Sequence, residues 1–104
     1  MSKTIVITGC SSGFGRQAAE VLARKGHRVY ATMRDTAGKN VTTAGQLQDL
    51  AAAEAIDLLV LEMDVTSTPS VDAAAARILS ESGAPDVVIN NAGQAFLGLA
   101  EAFT

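Results

Sequence analysis

A short β-branched segment, Thr4–Thr8 (TIVIT), runs directly into a loop that carries Gly9, Gly13 and Gly15. Apolar residues then recur at helical spacing until Gly26, so the segment reads as a strand, a glycine loop and a helix. Such a turn presents free backbone N–H groups and the positive end of the helix dipole, an arrangement that favours an anion. The pattern predicts a phosphate-binding loop, although a tight strand-to-helix turn without a ligand would use the same glycines.

The rest of the chain keeps alternating between strand and helix patterns. Strands are expected at Arg28–Thr32, Asp57–Glu62 and Asp86–Asn90. Helices are expected at Gln46–Glu54 and from Thr68, as N-cap before Pro69, to Gly83, with a further first turn within Gly98–Thr104. The second of these helices has an apolar stripe of Val71, Ala74, Ala75, Ile78 and Leu79.

This alternation predicts an α/β fold with a parallel sheet and right-handed crossovers. The expected strand order is 3-2-1-4 with helices on both faces, which is a Rossmann-type, truncated doubly wound fold. The strand order reverses between the first and fourth strands, and ligands bind at such a reversal, beyond the carboxyl ends of the strands.

Composition narrows the function classes. A chain of 104 residues makes one domain at most, and its net charge of −3 with eight Lys and Arg offers no basic face for nucleic acid. The single cysteine, Cys10, forms no disulfide within the chain and has no partner residues for a zinc site. The start lacks a signal-peptide core and no apolar run reaches membrane-spanning length, so we expect a cytoplasmic protein without membrane or nucleic-acid partners.

Three motifs at three expected strand ends carry a family resemblance. Thr8–Gly15 (TGCSSGFG) closely resembles the TGxxxGxG fingerprint of short-chain dehydrogenases/reductases. Asn90–Gly93 resembles the NNAG motif of that family, and Asp64–Val65 is similar to its acidic-aliphatic pair near adenine. Because the motifs span the chain, residues 1–104 are interpreted as a partial NAD(P)-binding Rossmann domain that covers the first four strands.

The resemblance implies a set of cofactor-binding residues. The loop residues Gly9, Ser11, Ser12, Gly13, Phe14 and Gly15 would face the phosphates and ribose, and Asp64 with Val65 would meet the adenine. Asn91, with Ala92 and Gly93, would contact the cofactor or brace the fourth strand. From the residues alone, Asp64 could instead open a turn toward Thr66, and Asn90 with Asn91 could satisfy backbone groups at a strand end.

The end of the second strand bears on cofactor choice. NAD-preferring domains usually place an acid there, whereas this chain has Met33 followed by Arg34. A guanidinium favours the 2′-phosphate, so NADP is the expected cofactor, with NAD as the alternative because a one-residue shift would bring Asp35 to the ribose. A solvated surface cation is the other interpretation of Arg34. The segment Tyr30–Asp35 (YATMRD) resembles steroid and retinoid-type reductases.

Members of the family transfer hydride with a serine and a Tyr-x-x-x-Lys pair, and neither is recognisable in these 104 residues. The one tyrosine, Tyr30, lies in an expected strand and is interpreted as a core residue, so no catalytic residue is assigned. No metal ligand is assigned either, because Cys10 has no partner residues for a site. Cys10 and His27 are interpreted as a loop and a turn residue. The expected function is the NADP-binding portion of a carbonyl or alcohol oxidoreductase whose catalytic half lies after Thr104; the alternatives are a non-enzymatic dinucleotide-binding module and a flavodoxin-like domain.

The fourth strand is expected at an edge of the sheet, because further strands would follow it in a complete domain. Its apolar residues Val87, Val88 and Ile89 would lie at a sheet edge, and such edges pair with other chains. The expectation is a homo-oligomer.

Overall fold

The computed structural model describes residues 2–11, 13–91 and 103, arranged as alternating strands and helices. The strands are β1 (Thr4–Ile7), β2 (Arg28–Met33), β3 (Leu58–Glu62) and β4 (Val87–Ile89), and the helices are α1 (Gly13–Arg24), α2 (Val41–Glu54) and α3 (Thr68–Ser82). The expected turn within Gly98–Thr104 lies outside the described residues apart from Phe103.

The sheet is parallel and its strands follow the order β3-β2-β1-β4. Ile5 of β1 pairs with Val29 on one side and with Val87 on the other, so β1 is central. The Rossmann-type strand order predicted from the alternation is confirmed, and the reversal lies between β1 and β4.

Helices cover both faces of the sheet, because each central strand is apolar on both sides. On one face Ile5 and Ile7 pack with Ala19 of α1 and Leu47 of α2. On the other face Val6 and its neighbours pack with three residues of α3. This second group consists of Val6, Tyr30, Leu61, Met63, Val71, Ala74 and Ile78.

Two helix boundaries differ from the sequence prediction. Helix α2 begins at Val41 rather than Gln46, because burial of Ala44 against the sheet stabilises a first turn of weak helix-forming residues. The N-cap of α3 is Ser67 rather than Thr68, since the Ser67 hydroxyl accepts a hydrogen bond from the Ser70 N–H at 3.3 Å.

Tyr30 is a core residue, as predicted, and its hydroxyl joins β2 to the last turn of α3. The ring is buried, while the hydroxyl lies 2.9 Å from Glu81 Oε1 and 2.7 Å from Ser82 Oγ. Burial raises the pKa of Tyr30, so the phenol stays protonated in this position.

Each helix in the described ranges is too short or too polar to span a membrane.

The apolar stripe of α3 provides a direct test of the packing. Ile78 is fully buried, whereas its neighbour Leu79, which the sequence pattern placed on the same stripe, is 41% exposed. We expect Ile78→Ala to lower the free energy of unfolding by about 2–5 kcal/mol, because it leaves a cavity between α3 and the sheet. Leu79→Ala is the matched control and should cost less than about 1 kcal/mol in the same denaturant titration. Equal losses for the two variants would contradict this packing.

Candidate functional site

A cleft of about 300 Å³ lies at the carboxyl ends of β1, β2 and β3. It is lined by the loop after β1, the end of β2 and the segment after β3, which bring Gly9, Arg34 and Asp64 together. The full lining is Gly9, Ser11, Met33, Arg34, Met63, Asp64, Val65 and Thr66. Because ligands of open parallel sheets bind at this end of the strands, the cleft is the candidate site.

The glycine loop is fixed from the β2 side by backbone and hydroxyl hydrogen bonds. The Cys10 N–H donates to the Thr32 carbonyl at 3.0 Å, and the Thr32 hydroxyl donates to the Ile7 carbonyl at 3.0 Å. Both Cys10 and Thr32 are completely buried. The end of β1 and the start of the loop are therefore held in one position relative to β2.

From the β4 side, the loop is held by Asn91. The side-chain amide of Asn91 donates from Nδ2 to the Gly9 carbonyl at 3.0 Å. Gly15, in the first turn of α1, fits against the same group: a Cβ on Gly15 would lie 2.5 Å from the Gly9 oxygen and 2.6 Å from Asn91 Nδ2. Only glycine allows this approach, which keeps the N-terminus of α1 close to the end of the sheet.

The loop residues themselves have the geometry of an anion-binding turn. Gly9 and Gly13 have φ values of 68° and 62°, a left-handed conformation that other residues adopt at a cost. Helix α1 begins at Gly13, so the N–H groups of its first turn lack partners within the helix. They and the helix dipole favour a phosphate at this position.

Asp64 is fixed as an anion at the end of β3. Its Oδ1 accepts a hydrogen bond from the Thr66 hydroxyl at 2.7 Å and from the Thr66 N–H at 2.9 Å. These bonds, together with the positive charge of Arg34, lower the pKa of Asp64 against the opposing effect of desolvation. The turn toward Thr66 that the sequence left as an alternative is therefore present, and the same carboxylate lines the cleft.

Arg34 contributes the cation of the cleft. Its side chain is exposed at the end of β2, and within the described part of the chain no carboxylate forms an ion pair with it. Asp35 follows directly, yet it is not part of the lining. The cleft thus presents one cation and one anion, at Arg34 and Asp64.

The structure brings together only some of the sequence-predicted site residues. Gly9, Ser11, Arg34, Asp64 and Val65 line the cleft, whereas the other described candidates, Gly13, Phe14, Gly15 and Asn91, lie outside its lining. Phe14 is 62% exposed. Ser12, Ala92 and Gly93 lie outside the described residues.

Three lining residues, Met33, Met63 and Thr66, were not among the site residues predicted from the sequence. Met63 is buried in the core cluster on the α3 face of the sheet and directly follows the last residue of β3. Its position directly after a strand end was the available signal, because every lining segment of the cleft begins where a strand stops.

Cys10 is chemically inert in this position. The thiol donates to the Ile7 carbonyl at 3.2 Å, and burial raises its pKa to about 12. Because the thiolate is the reactive form, this burial disfavours reaction at Cys10. The sequence interpretation as a loop residue did not include its place in the core cluster on the α1 face of the sheet. Among the described residues, no group of three metal-ligating side chains comes together.

Comparison with known sequences identifies a family for this arrangement. The profile of the short chain dehydrogenase family matches residues 3–104. A 3-ketodihydrosphingosine reductase of Bacteroides thetaiotaomicron is 40% identical over 100 residues, covering 96% of this chain and 32% of the relative. Human 17-beta-hydroxysteroid dehydrogenase type 1 is 41% identical, covering 98% of this chain and 31% of that protein. The chain therefore spans about a third of the length of these curated relatives.

Solved structures share the fold. The L-sorbose reductase of Gluconobacter frateurii, solved with NADPH and L-sorbose, matches 98% of this chain and 46% of its own with a TM-score of 0.82 at 25% identity. An actinorhodin polyketide ketoreductase solved with NADPH matches 86% of this chain and 33% of its own with a TM-score of 0.73 at 27% identity.

The close approach at Gly15 can be tested by a single methyl group. We expect Gly15→Ala to lower the free energy of unfolding by about 1–3 kcal/mol, because the new Cβ meets a backbone oxygen that cannot move without shifting the loop. Gly45→Ala in α2 is the control, since its Cβ would meet nothing within 4 Å. That substitution should stabilise the helix by up to about 1 kcal/mol. Thermal or urea unfolding measures both, and a neutral Gly15→Ala would refute the contact.

Proposed function

The chain belongs to the short-chain dehydrogenase family, and on that premise we propose that it is the NADP-binding portion of an oxidoreductase. The whole protein would transfer hydride between NADP(H) and a carbonyl or alcohol substrate. The observation that carries the proposal is the cleft itself, which combines the glycine loop, the cation of Arg34 and the anion of Asp64 at the carboxyl edge of a parallel sheet.

Each side of the cleft suits a different part of the cofactor. Asp64, held as a carboxylate by Thr66, accepts hydrogen bonds only, which suits the exocyclic amino group of adenine. The Arg34 guanidinium suits a 2′-phosphate, since a charge-assisted contact with phosphate is among the stronger polar interactions. Beyond the lining of the cleft, where the glycine loop leads into α1, the N–H groups at the start of this helix suit the pyrophosphate. When bound, the nicotinamide ring supplies the hydride chemistry.

The other half of the site would be formed around the end of β4. Asn91 braces the Gly9 carbonyl, so its role for the cofactor is to position the loop. We assign Ala92 and Gly93, with Ser12, Gly13 and Phe14, to the phosphate and nicotinamide side by their place in the family motifs. No residue of these 104 is proposed as an acid, a base or a hydride carrier.

The relatives share a reaction class and differ in the substrates that their names give. Their names refer to ketosphingosine, steroid and pterin aldehyde chemistry, while a reductase or dehydrogenase activity is common to all of them. One, from Arabidopsis thaliana, is named as NADPH-dependent and is 37% identical over 88% of this chain. We therefore propose a small-molecule carbonyl or alcohol substrate.

We also propose a reducing, cytoplasmic location, which is supported by the single cysteine, Cys10, being a buried free thiol.

A non-enzymatic dinucleotide-binding module is the second candidate. The observation that favours it is that Tyr30, the one tyrosine of these residues, is buried and does not line the cleft, and its hydroxyl is bonded to Glu81 and Ser82 of α3. The two candidates share the cleft and differ in turnover: the whole oxidoreductase consumes NADPH with a carbonyl compound, and the module binds NADPH without consuming it.

Cofactor preference tests the role of Arg34. We expect Arg34→Ala to weaken NADPH binding by about 10- to 100-fold, because a charge-assisted contact of this kind contributes about 1.5–3 kcal/mol. The affinity for NADH, which lacks the 2′-phosphate, should fall by less than about 3-fold, which is within the range of effects of surface substitutions. Fluorescence titration with each cofactor measures the two constants.

A matched control for this test is Arg77→Ala. Arg77 lies on α3, pairs with Glu81 at 3.1 Å and does not line the cleft. The control should leave both cofactor affinities unchanged. Equal losses of NADPH and NADH in Arg34→Ala would rule out recognition of the 2′-phosphate by this residue.

We also propose that the protein self-associates, and that a β4 edge left open is the surface that pairs. β4 pairs with β1 on one side, and Val87 is 37% exposed on the strand that ends the described sheet. Exposed apolar edge strands pair with other chains. For the 104-residue chain we expect sedimentation to show dimers or larger species, and Val87→Lys to reduce them because charge discourages edge pairing. A monodisperse monomer would contradict this proposal.

A further inference from the structure

The loop from Asp35 to Asn40, between β2 and α2, folds back on itself beside the cation of the cleft. Asp35 has a left-handed backbone conformation with φ of 51°. Its carbonyl accepts hydrogen bonds from the Gly38 N–H at 3.2 Å and the Asn40 N–H at 3.0 Å. The strand end is therefore followed by a closed turn rather than by an extended segment.

The turn captures the Asp35 carboxylate. Its Oδ2 accepts a hydrogen bond from the Lys39 N–H at 2.9 Å. Asn40 holds the neighbouring residue, since its Nδ2 donates to the Arg34 carbonyl at 2.6 Å. The two adjacent residues are thus fixed in different directions: Arg34 lines the cleft, and the Asp35 carboxylate is bound within the turn.

Gly38 makes room for this arrangement. A Cβ at Gly38 would lie 2.6 Å from Asp35 Oδ1 and 2.8 Å from Oδ2. Alanine fits the backbone here, because Gly38 is not among the residues with positive φ. The added methyl group would instead displace the carboxylate, which is the end of a flexible side chain.

From these contacts we propose that Gly38 is a positioning residue for cofactor specificity: it leaves the space in which the Lys39 N–H holds the Asp35 carboxylate away from the 2′-phosphate. The inference rests on the proposed function, because it concerns which dinucleotide the cleft prefers. A carboxylate freed next to Arg34 would neutralise part of its charge and repel a phosphate. The same carboxylate is well suited to accept hydrogen bonds from the unphosphorylated ribose of NADH.

The test is Gly38→Ala in the full chain, with NADPH and NADH each titrated by fluorescence. We expect NADPH affinity to fall by about 5- to 20-fold, the scale of one added charge interaction near the protein surface. NADH affinity should stay the same or rise. Gly45→Ala in α2 is the matched glycine control, with open space around its Cβ, and it should leave the ratio of the two affinities unchanged.

A second substitution separates the charge of Asp35 from damage to the turn. Asn has almost the shape of Asp, tolerates the left-handed backbone and can still accept from the Lys39 N–H. Asp35→Asn alone should change the affinity ratio little, because the native carboxylate is already held away. In the Gly38→Ala background it should restore NADPH affinity.

Several outcomes would overturn this inference while leaving the proposed function intact. One is an unchanged affinity ratio in Gly38→Ala, and another is an equal loss of both cofactors that Asp35→Asn does not restore. A third is a large gain of NADPH affinity from Asp35→Asn in the native background, since the carboxylate would then already act on the phosphate. Failure of the unaltered protein to bind either cofactor is a different result, which would overturn the proposed function and this inference with it.

Discussion

The carboxyl end of the sheet depends on the close contact of Gly15 with the Gly9 carbonyl and the Asn91 amide. This contact joins the first turn of α1, the loop after β1 and the end of β4 without room for a Cβ. The start of α1 is consequently close to the sheet, where its N–H groups and dipole can act on a ligand. Hydrogen bonds from Cys10 and Thr32 hold the same loop from the β2 side.

The charges of the cleft are the basis for the ligand that we propose. Arg34 and Asp64 both line one small cleft, and hydrogen bonds from Thr66 together with the charge of Arg34 lower the pKa of Asp64, so its carboxylate stays ionised. A ligand that fits must offer hydrogen-bond donors at one end and an anion near the other. A phosphorylated adenosine, the ligand that we propose, meets both requirements, and the Lys39 N–H holds the Asp35 carboxylate in a turn outside the lining of the cleft.

The sequence predicted the architecture well because the determining signals are local. Alternating strand and helix patterns dictate parallel pairing with right-handed crossovers, and the apolar character of Ile5, Val6 and Ile7 on both faces requires helices on both sides. The start of α2 was predicted too late, because burial of Ala44, a tertiary effect, outweighs the weak helix propensity of the residues before Gln46. The orientation of the Asp35 side chain could not be predicted from the sequence either, since it depends on the hydrogen bond from the Lys39 N–H and on the space left by Gly38.

A crystal structure of this chain with NADP⁺ would locate each part of the cofactor relative to Arg34, Asp64 and the start of α1. We expect the 2′-phosphate beside the Arg34 guanidinium, the adenine amino group at the Asp64 carboxylate and the pyrophosphate over the N–H groups that begin α1. A dinucleotide bound elsewhere, for example in the groove between α2 and β3 lined by Val41, Gln48 and Glu62, would contradict this expectation, as would a 2′-phosphate directed away from Arg34.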